Sequence, residues 1–314
     1  MSINSQVFDR GYAGLQDLQA MINLIKERSP DQVTDFPSLI DLQEMLATSK
    51  IQAATHLWAD ANGRLVGFVI LDWDPTSALL IFEVAADWKE QGLEVAMCDW
   101  AGIFIQKFCP VISNSYLLET SARSDNLERL ARLQGLGFKP QAGGSVQLER
   151  SLNEPIDKPQ LPSGFFIRCL KGEMEAEAWV KLHRLAHGTE NMTVEYKLAM
   201  MRTPSYEPDL DLVAVTTNGA LAAYCVCFIS IEENALTGVR IGYTDPIATH
   251  PDFQKRGLSK ALILTGLYLL KERGMEYARL GTSSDNIAMI RTAKSVGFHI
   301  KNEVLRLGKP IHFG

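Results

Sequence analysis

Ser124-Asp125-Asn126 precedes Gly137-Phe138 at the same distance at which Ser284-Asp285-Asn286 precedes Gly297-Phe298. The two copies lie about 160 positions apart, too long a period for a stacked solenoid and about the size of a whole domain. A chain of 314 residues carrying such a repeat is expected to be one fold made twice. A second correspondence agrees. Gly92 and Gly257 each stand just before a run with helical spacing of apolar residues, Leu93, Ala96, Met97, Trp100, Ala101 and Phe104 in one copy and Leu258, Ala261, Leu262, Thr265, Leu269 and Leu270 in the other.

The rest of the pattern fills out two similar halves. Residues up to Val7 read as a lead-in, Gly11 to Glu27 and Ser38 to Thr48 as helices, and Thr55 to Trp58 with Leu65 to Leu71 as a hairpin around an Asn-Gly turn. Ala78 to Val84 adds a strand. Pro155, Pro159 and Pro162 mark residues 152–164 as a linker, which gives domains of 1–151 and 165–314. In the second half Phe165 to Leu170 is a strand, Gly172 to His187 and Thr193 to Met201 are helices, and Leu212 to Thr216 with Leu221 to Ile231 form the matching hairpin. A strand ends near Thr249, a helix runs from Gly257 to about Arg273, Tyr277 to Thr282 is a strand, and Lys301 to Leu307 closes the domain.

Composition narrows the function classes. With 46% hydrophobic and 22% charged residues the chain can bury a substantial core, and its formal charge of -6 argues against non-specific nucleic-acid binding. No apolar run approaches the length of about eighteen that a membrane span needs, and the first twenty residues lack a signal-like apolar block. The five cysteines, Cys98, Cys109, Cys169, Cys225 and Cys227, have no zinc-like spacing, so they read as reduced structural thiols in a cytoplasmic protein with no metal.

Chemistry concentrates in the second copy. Gly257 has no Cβ, so the backbone can approach a bulky anion, and the amides of Gly257, Leu258, Ser259 and Lys260 are the unpaired donors that open a helix. Free N–H groups at the positive end of a helix favour a phosphate or diphosphate. Gln254-x-x-Gly257-x-Ser259, followed by Asn286 and Gly297-Phe298, resembles the acetyl-CoA-binding core of the GNAT superfamily of N-acetyltransferases, in its tandem two-domain form.

That resemblance implies an α/β (α+β) fold of two GNAT-like domains, each a mixed, splayed sheet flanked by helices. It implies acetyl-CoA as cofactor and a small-molecule amine as acceptor. The cofactor would be held by Ile247, Ala248 and Thr249 on the strand, by Gln254, Lys255, Arg256, Gly257, Leu258, Ser259 and Lys260 at the turn, and by Asn286. Asp245 is expected to take the amine proton, through a water, and Pro246 to help splay the strand. Many relatives carry a Tyr seven residues after the Asn as proton source for the thiolate; here that position is Ala293, and Tyr243 is the substitute.

The first copy has Lys89 and Glu94 where the family has Gln or Arg and Gly or Ala, so its cofactor site is expected to be degenerate, a carboxylate opposing phosphate. His250 is expected to cap locally, and His183, His187 and Glu177 form no metal set. Tyr206, Trp179 and Phe165 are candidates for the acceptor pocket that more often serve as core. A non-catalytic acyl-CoA sensor or interaction protein is the alternative, and transfer of a longer acyl or aminoacyl group a third. Oligomeric state is not legible.

Overall fold

The computed structural model describes residues 7–89, 91–108 and 115–312. Cys109, Glu90 and the lead-in before Val7 lie outside the described residues. In order come β1 (Val7–Gly11), α1 (Leu15–Lys26), α2 (Leu39–Met45), α3 (Ser49–Ala53), β2 (Thr55–Asp60), β3 (Leu65–Trp73), β4 (Ser77–Val84), α4 (Leu93–Phe108), β5 (Ser115–Arg123), α5 (Leu127–Gly135) and β6 (Lys139–Ser151). The second repeat follows as β7 (Phe165–Cys169), α6 (Ala176–His187), α7 (Val194–Met200), β8 (Asp211–Thr216), β9 (Leu221–Ile229), α8 (Ile231–Thr237), β10 (Ile241–Thr249), α9 (Leu258–Glu272), β11 (Tyr277–Ser283), α10 (Ile287–Lys294) and β12 (His299–His312).

The chain divides into two compact units, but not at the proline-rich segment. One comprises Met1–Gly144 with Val304–Gly314, the other Ser145–Glu303. Within the first, β1 to β5 follow in sequence order and the last sheet neighbour of β5 is the Val304–His312 part of β12, antiparallel from Val304↔Arg123 to His312↔Ser115. Within the second, the Ser145–Ser151 part of β6 lies antiparallel to β11, from Tyr277↔Ser151 to Ser283↔Ser145, and β10, β9, β8 and β7 complete the sheet. Each repeat therefore completes its sheet with a strand from the other. The expected domains of 1–151 and 165–314 are corrected accordingly, and Lys301 to Leu307 is not the closing strand of its own half.

The linker is corrected with them. Leu152 is buried and Ile156 and Leu161 pack on the core of the second unit. Arg150 fixes the segment through the Pro155 carbonyl at 2.9 Å, and the Tyr268 hydroxyl donates to the Ile156 carbonyl at 2.7 Å. Proline content signalled missing secondary structure, not missing contact.

Local chemistry explains most elements. Ser38 caps α2 in a reciprocal box with Asp41, and Thr193 caps α7 by accepting from the Tyr196 amide. Of the α9 stripe, Leu258, Ala261, Leu262 and Leu270 are buried, and Gly242 lets β10, and Gly266 lets β9, meet the helix closely, since a Cβ at either glycine would fall 2.5 Å from a side-chain atom, of Leu270 and Cys227 respectively. Cys225 and Cys227 face the same core with sulfurs 3.7 Å apart, which is the packing role expected of them. Three features differ from expectation: β1 forms ahead of a helix that starts only at Leu15, α3 forms after Thr48, and β9 ends at Ile229 with α8 starting at Ile231, the residue to which the strand was expected to run.

Candidate active site

β10 and β11 are parallel and bonded only from Ile241↔Tyr277 to Tyr243↔Arg279. β10 then runs on to Thr249 and β11 to Ser283, so the strands part after Tyr243 and Arg279 and leave a V between them. On its other edge β10 loses register with β9 between Thr244 and Ile247, so Asp245 and Pro246 stand out of the ladder. Asp245 Oδ2 accepts the Gly281 amide at 2.7 Å, a bridge just beyond the point of the V.

The open arm of β10 leads to the turn before α9. Lys255 has φ +60 and Gly257 φ +82, so two left-handed residues bring successive amides round toward one spot. A left-handed non-glycine costs roughly 1 kcal/mol, and strain of this kind collects at ligand sites. Nothing lies within 4 Å of the position a Gly257 Cβ would take. Ala261 is the first α9 residue whose amide bonds a turn back, to the Gly257 carbonyl at 3.0 Å; the amides of residues 255–260 find no acceptor among the described residues. Thr249 Oγ1 and Ser259 Oγ lie 2.8 Å apart, and Gln254 Nε2 donates to the Thr249 carbonyl at 3.4 Å, which ties strand end to helix start. Lys255 and Arg256 are exposed beside it. An open spot, convergent donors and nearby cations fit a diphosphate.

At the point of the V, Tyr243 stacks on Phe228 with centroids 4.6 Å apart and donates to Glu233 Oε2 at 3.5 Å. Burial, then the Glu233 carboxylate, pushes the phenol above its ordinary range. Arg279 Nε donates to Glu149 at 2.8 Å and Lys301 Nζ to the same carboxylate at 2.6 Å. Burial alone would raise the Glu149 pKa, but the hydrogen bonds from Lys301 and Arg279 hold it below the usual carboxylate range.

Some expected residues have plainer roles. Asn286 caps α10 by accepting the Met289 amide at 3.1 Å and donates to Thr282, as Asn126 caps α5. His250 accepts the Asp252 amide at 3.2 Å, a local cap as expected. Ile247 and Ala248 are nearly buried, so only their main chain faces the V, and Ala293 sits wholly in the core. Trp179 is core, Tyr206 donates to buried Asp211 at 2.9 Å, and Phe165 packs on Phe253, so none of the three is brought to the V. Among the described residues no cluster could hold a metal ion.

The equivalent place in the first unit is differently furnished. Its last parallel pair is Leu79↔Glu119. Glu94, in the first turn of α4, is turned inward and lies 3.7 Å from Arg132, with burial raising its pKa against the attraction of Arg132. Glu94 therefore does not stand out into the phosphate position, as the sequence suggested. It fills the helix start from within. Arg129 extends over the Phe82 ring at 5.1 Å, and Arg28 binds Glu83 on β4 at 2.5 Å.

Glu233 and the left-handed Lys255 escaped sequence reasoning. The first had a signal: Ser230-Ile231-Glu232-Glu233 has capping-box spacing, and Ser230 Oγ does accept the Glu233 amide at 3.2 Å. The second had none, because lysine carries no preference for that conformation.

A splayed mixed sheet whose open strand feeds an amide-rich helix start is the architecture of an acyl-CoA-dependent transferase. The chain matches the acetyltransferase (GNAT) family over residues 176–298, a fold family that uses acyl-CoA. It is similar to the mycothiol acetyltransferase of Salinispora tropica, with 29% identity over 292 residues, 90% of this chain and 89% of the relative. Its likeness to that of Thermobispora bispora is 26% over 176 residues, which span 55% of this chain and 59% of that relative. Among solved structures, a tandem GNAT protein from the clavulanic acid biosynthesis pathway superposes with a TM-score of 0.70 at 16% identity, over 97% of this chain and 98% of that one. A GCN5-related N-acetyltransferase from Sphaerobacter thermophilus gives 0.68 at 18% identity, over 100% and 98%. These two likenesses are of fold. No described helix is long and apolar enough to cross a membrane.

Proposed function

We propose that this chain moves the acetyl group of acetyl-CoA to the primary amine of a small-molecule or amino-acid-like acceptor, with the second unit carrying the reaction. The observation behind this reading is the pairing of the V with the row of unbonded amides at the start of α9. Acetyl-CoA supplies an activated acyl carbon and a thiolate leaving group. The amides of residues 255–260 hold the diphosphate, with Gln254 and the cations Lys255, Arg256 and Lys260 around it. The main chain of Ile247, Ala248 and Thr249 lines the open arm and donates to the acyl end. Asn286 supports this wall through Thr282.

Asp245 faces the point of the V and takes the first proton from the incoming ammonium, through a water. Its bond to Gly281 also keeps the V at a fixed width. Tyr243 serves the leaving thiolate in place of the tyrosine that Ala293 replaces. The described cysteines are thiols, in keeping with a reducing, cytoplasmic setting.

Incubation with acetyl-CoA, a thiol reagent and an amine panel tests the reading, and the names of the relatives recommend including the amino-sugar precursor of mycothiol. CoA release that depends on one added amine, with the acetylated product seen by mass spectrometry, is expected. Acetyl-CoA binding with no amine-dependent release would instead favour the acyl-CoA sensor, a reading supported by the burial of Ala293 where an acid is customary.

A further inference from the structure

α8 exists only in the second repeat. In the first, β3 and β4 are joined by a short turn in which Asp74 accepts the amides of Thr76 and Ser77. Ser230 caps α8 and the helix closes on a left-handed Gly238, so both ends are fixed. The insertion brings Glu233 beneath the sheet, 1% exposed, with its carboxylate 3.5 Å from the Tyr243 hydroxyl. A buried carboxylate is costly unless its partners are matched to it. Tyr243 is in turn the last β10 residue paired with β11 before the V opens, opposite Arg279, whereas the first unit has Leu79 at the corresponding pair. The acid and the phenol are therefore found together only in the repeat whose helix start is open.

We infer that Glu233 is a positioning residue for the transfer, holding through Tyr243 the second amine proton between its release from nitrogen and its delivery to sulfur. This rests on the acetyl-transfer reading above. An ammonium must lose two protons to become an amide: one leaves before attack and the other after it. As the C–N bond forms, Tyr243 Oη accepts the second proton while its own passes to Glu233 Oε2. As the C–S bond breaks, Glu233 gives that proton back to Tyr243, and the Tyr243 hydroxyl protonates the thiolate. Charge and atoms balance with no added acid. The buried site suits the task because water does not compete for the proton there. Arg279, bound to Glu149 and through it to Lys301, supplies a fixed positive charge that acts on the phenol.

The experiment compares Glu233→Gln, Tyr243→Phe and the double variant with the wild type. Each single change should lower kcat by about a hundredfold, the lower end for a lost proton-transfer group, and leave the acetyl-CoA Kd within about twofold. The double variant should lose no more than either single one, because the two act as a unit. Independently of turnover, the Tyr243 phenol, followed by NMR of labelled tyrosine and assigned with Tyr243→Phe, should titrate at lower pH once Glu233 is neutral. If Glu233→Gln does not fold, Tyr243→Phe alone must still show the loss with unchanged cofactor binding. Wild-type kcat in Glu233→Gln, or multiplied losses in the double variant, overturns the inference alone, and wild-type kcat in Tyr243→Phe overturns it together with the role of Tyr243 toward the thiolate. A wild type that releases no CoA with any amine overturns the transfer reading and this inference together.

Discussion

Gly257 does at the residue scale what no other side chain could do as well: it sits at φ +82, with nothing over its Cα, at the head of α9. Aspartate tolerates a left-handed backbone, so Gly257→Asp should cost roughly 1 kcal/mol of stability and still fold. Its carboxylate would, however, face the diphosphate and remove charge-assisted hydrogen bonds worth about 1.5–3 kcal/mol each. The acetyl-CoA Kd measured by calorimetry should rise on the order of a hundredfold. Unchanged affinity would detach the cofactor from this turn. His183 gives a second test. Its Nδ1 is 2.6 Å from the Tyr224 hydroxyl, with Trp179, His187 and Lys197 around it, and burial first, then the charges of His187 and Lys197, push its pKa down to about 4 from 6.5. Between those values the unfolded chain takes up a proton that the folded chain refuses. Stability should therefore fall as pH falls below 6.5, by up to about 1.4 kcal/mol per pH unit from this residue. Denaturant unfolding at pH 7, 6 and 5 should show a shallower decline for His183→Gln, and parallel lines for the two proteins would rule the assignment out.

Among elements, what the sequence made legible was whatever is decided within a few residues. The α9 stripe, the Asn-Gly hairpin, the strand into Thr249 and the glycine turn all follow from local spacing, and each is present. Partner choice was not legible. Lys301 to Leu307, within β12, reads as a strand while the β6 segment does not, and alternation says only which face is buried and not which neighbour supplies the hydrogen bonds. The same limit applies to the two turns. Lys89 and Glu94 marked the first as unfit for phosphate, yet how it is unfit depends on Arg132 and Arg129, which lie on α5. Glu94 lies 3.7 Å from Arg132 and Arg129 is laid across Phe82, so the first unit has a buried carboxylate at the helix start where the second has Ser259. Calorimetry on the whole chain should accordingly find one acetyl-CoA, not two, and Gly257→Asp should weaken that single site.

For the molecule as a whole, strand exchange decides what a folding unit is. A fragment 165–314, cut where prolines suggest a boundary, lacks Ser145–Ser151 and so leaves β11 without its antiparallel neighbour over seven paired positions, from Tyr277 to Ser283. It also loses Val146, Leu148 and Leu152 from the core, and Glu149 from Arg279 and Lys301. Breaking a buried ion pair costs about 3–5 kcal/mol, a large part of the stability of any domain of this size. The same fragment carries Val304–His312, a strand whose partner β5 is absent, so it joins a deficient sheet to an unpaired edge prone to association. A fragment 145–303 has neither fault. It should unfold in one cooperative transition by circular dichroism, stay monomeric in sedimentation and bind acetyl-CoA within about tenfold of the full chain, since its turn, V and core come entirely from its own residues. The 165–314 fragment should aggregate or show no cooperative transition. If the 165–314 fragment proves the stable one, β12 must be able to take the place of β6 beside β11, and the exchange would be a choice between two near-equal pairings instead of a requirement of the fold.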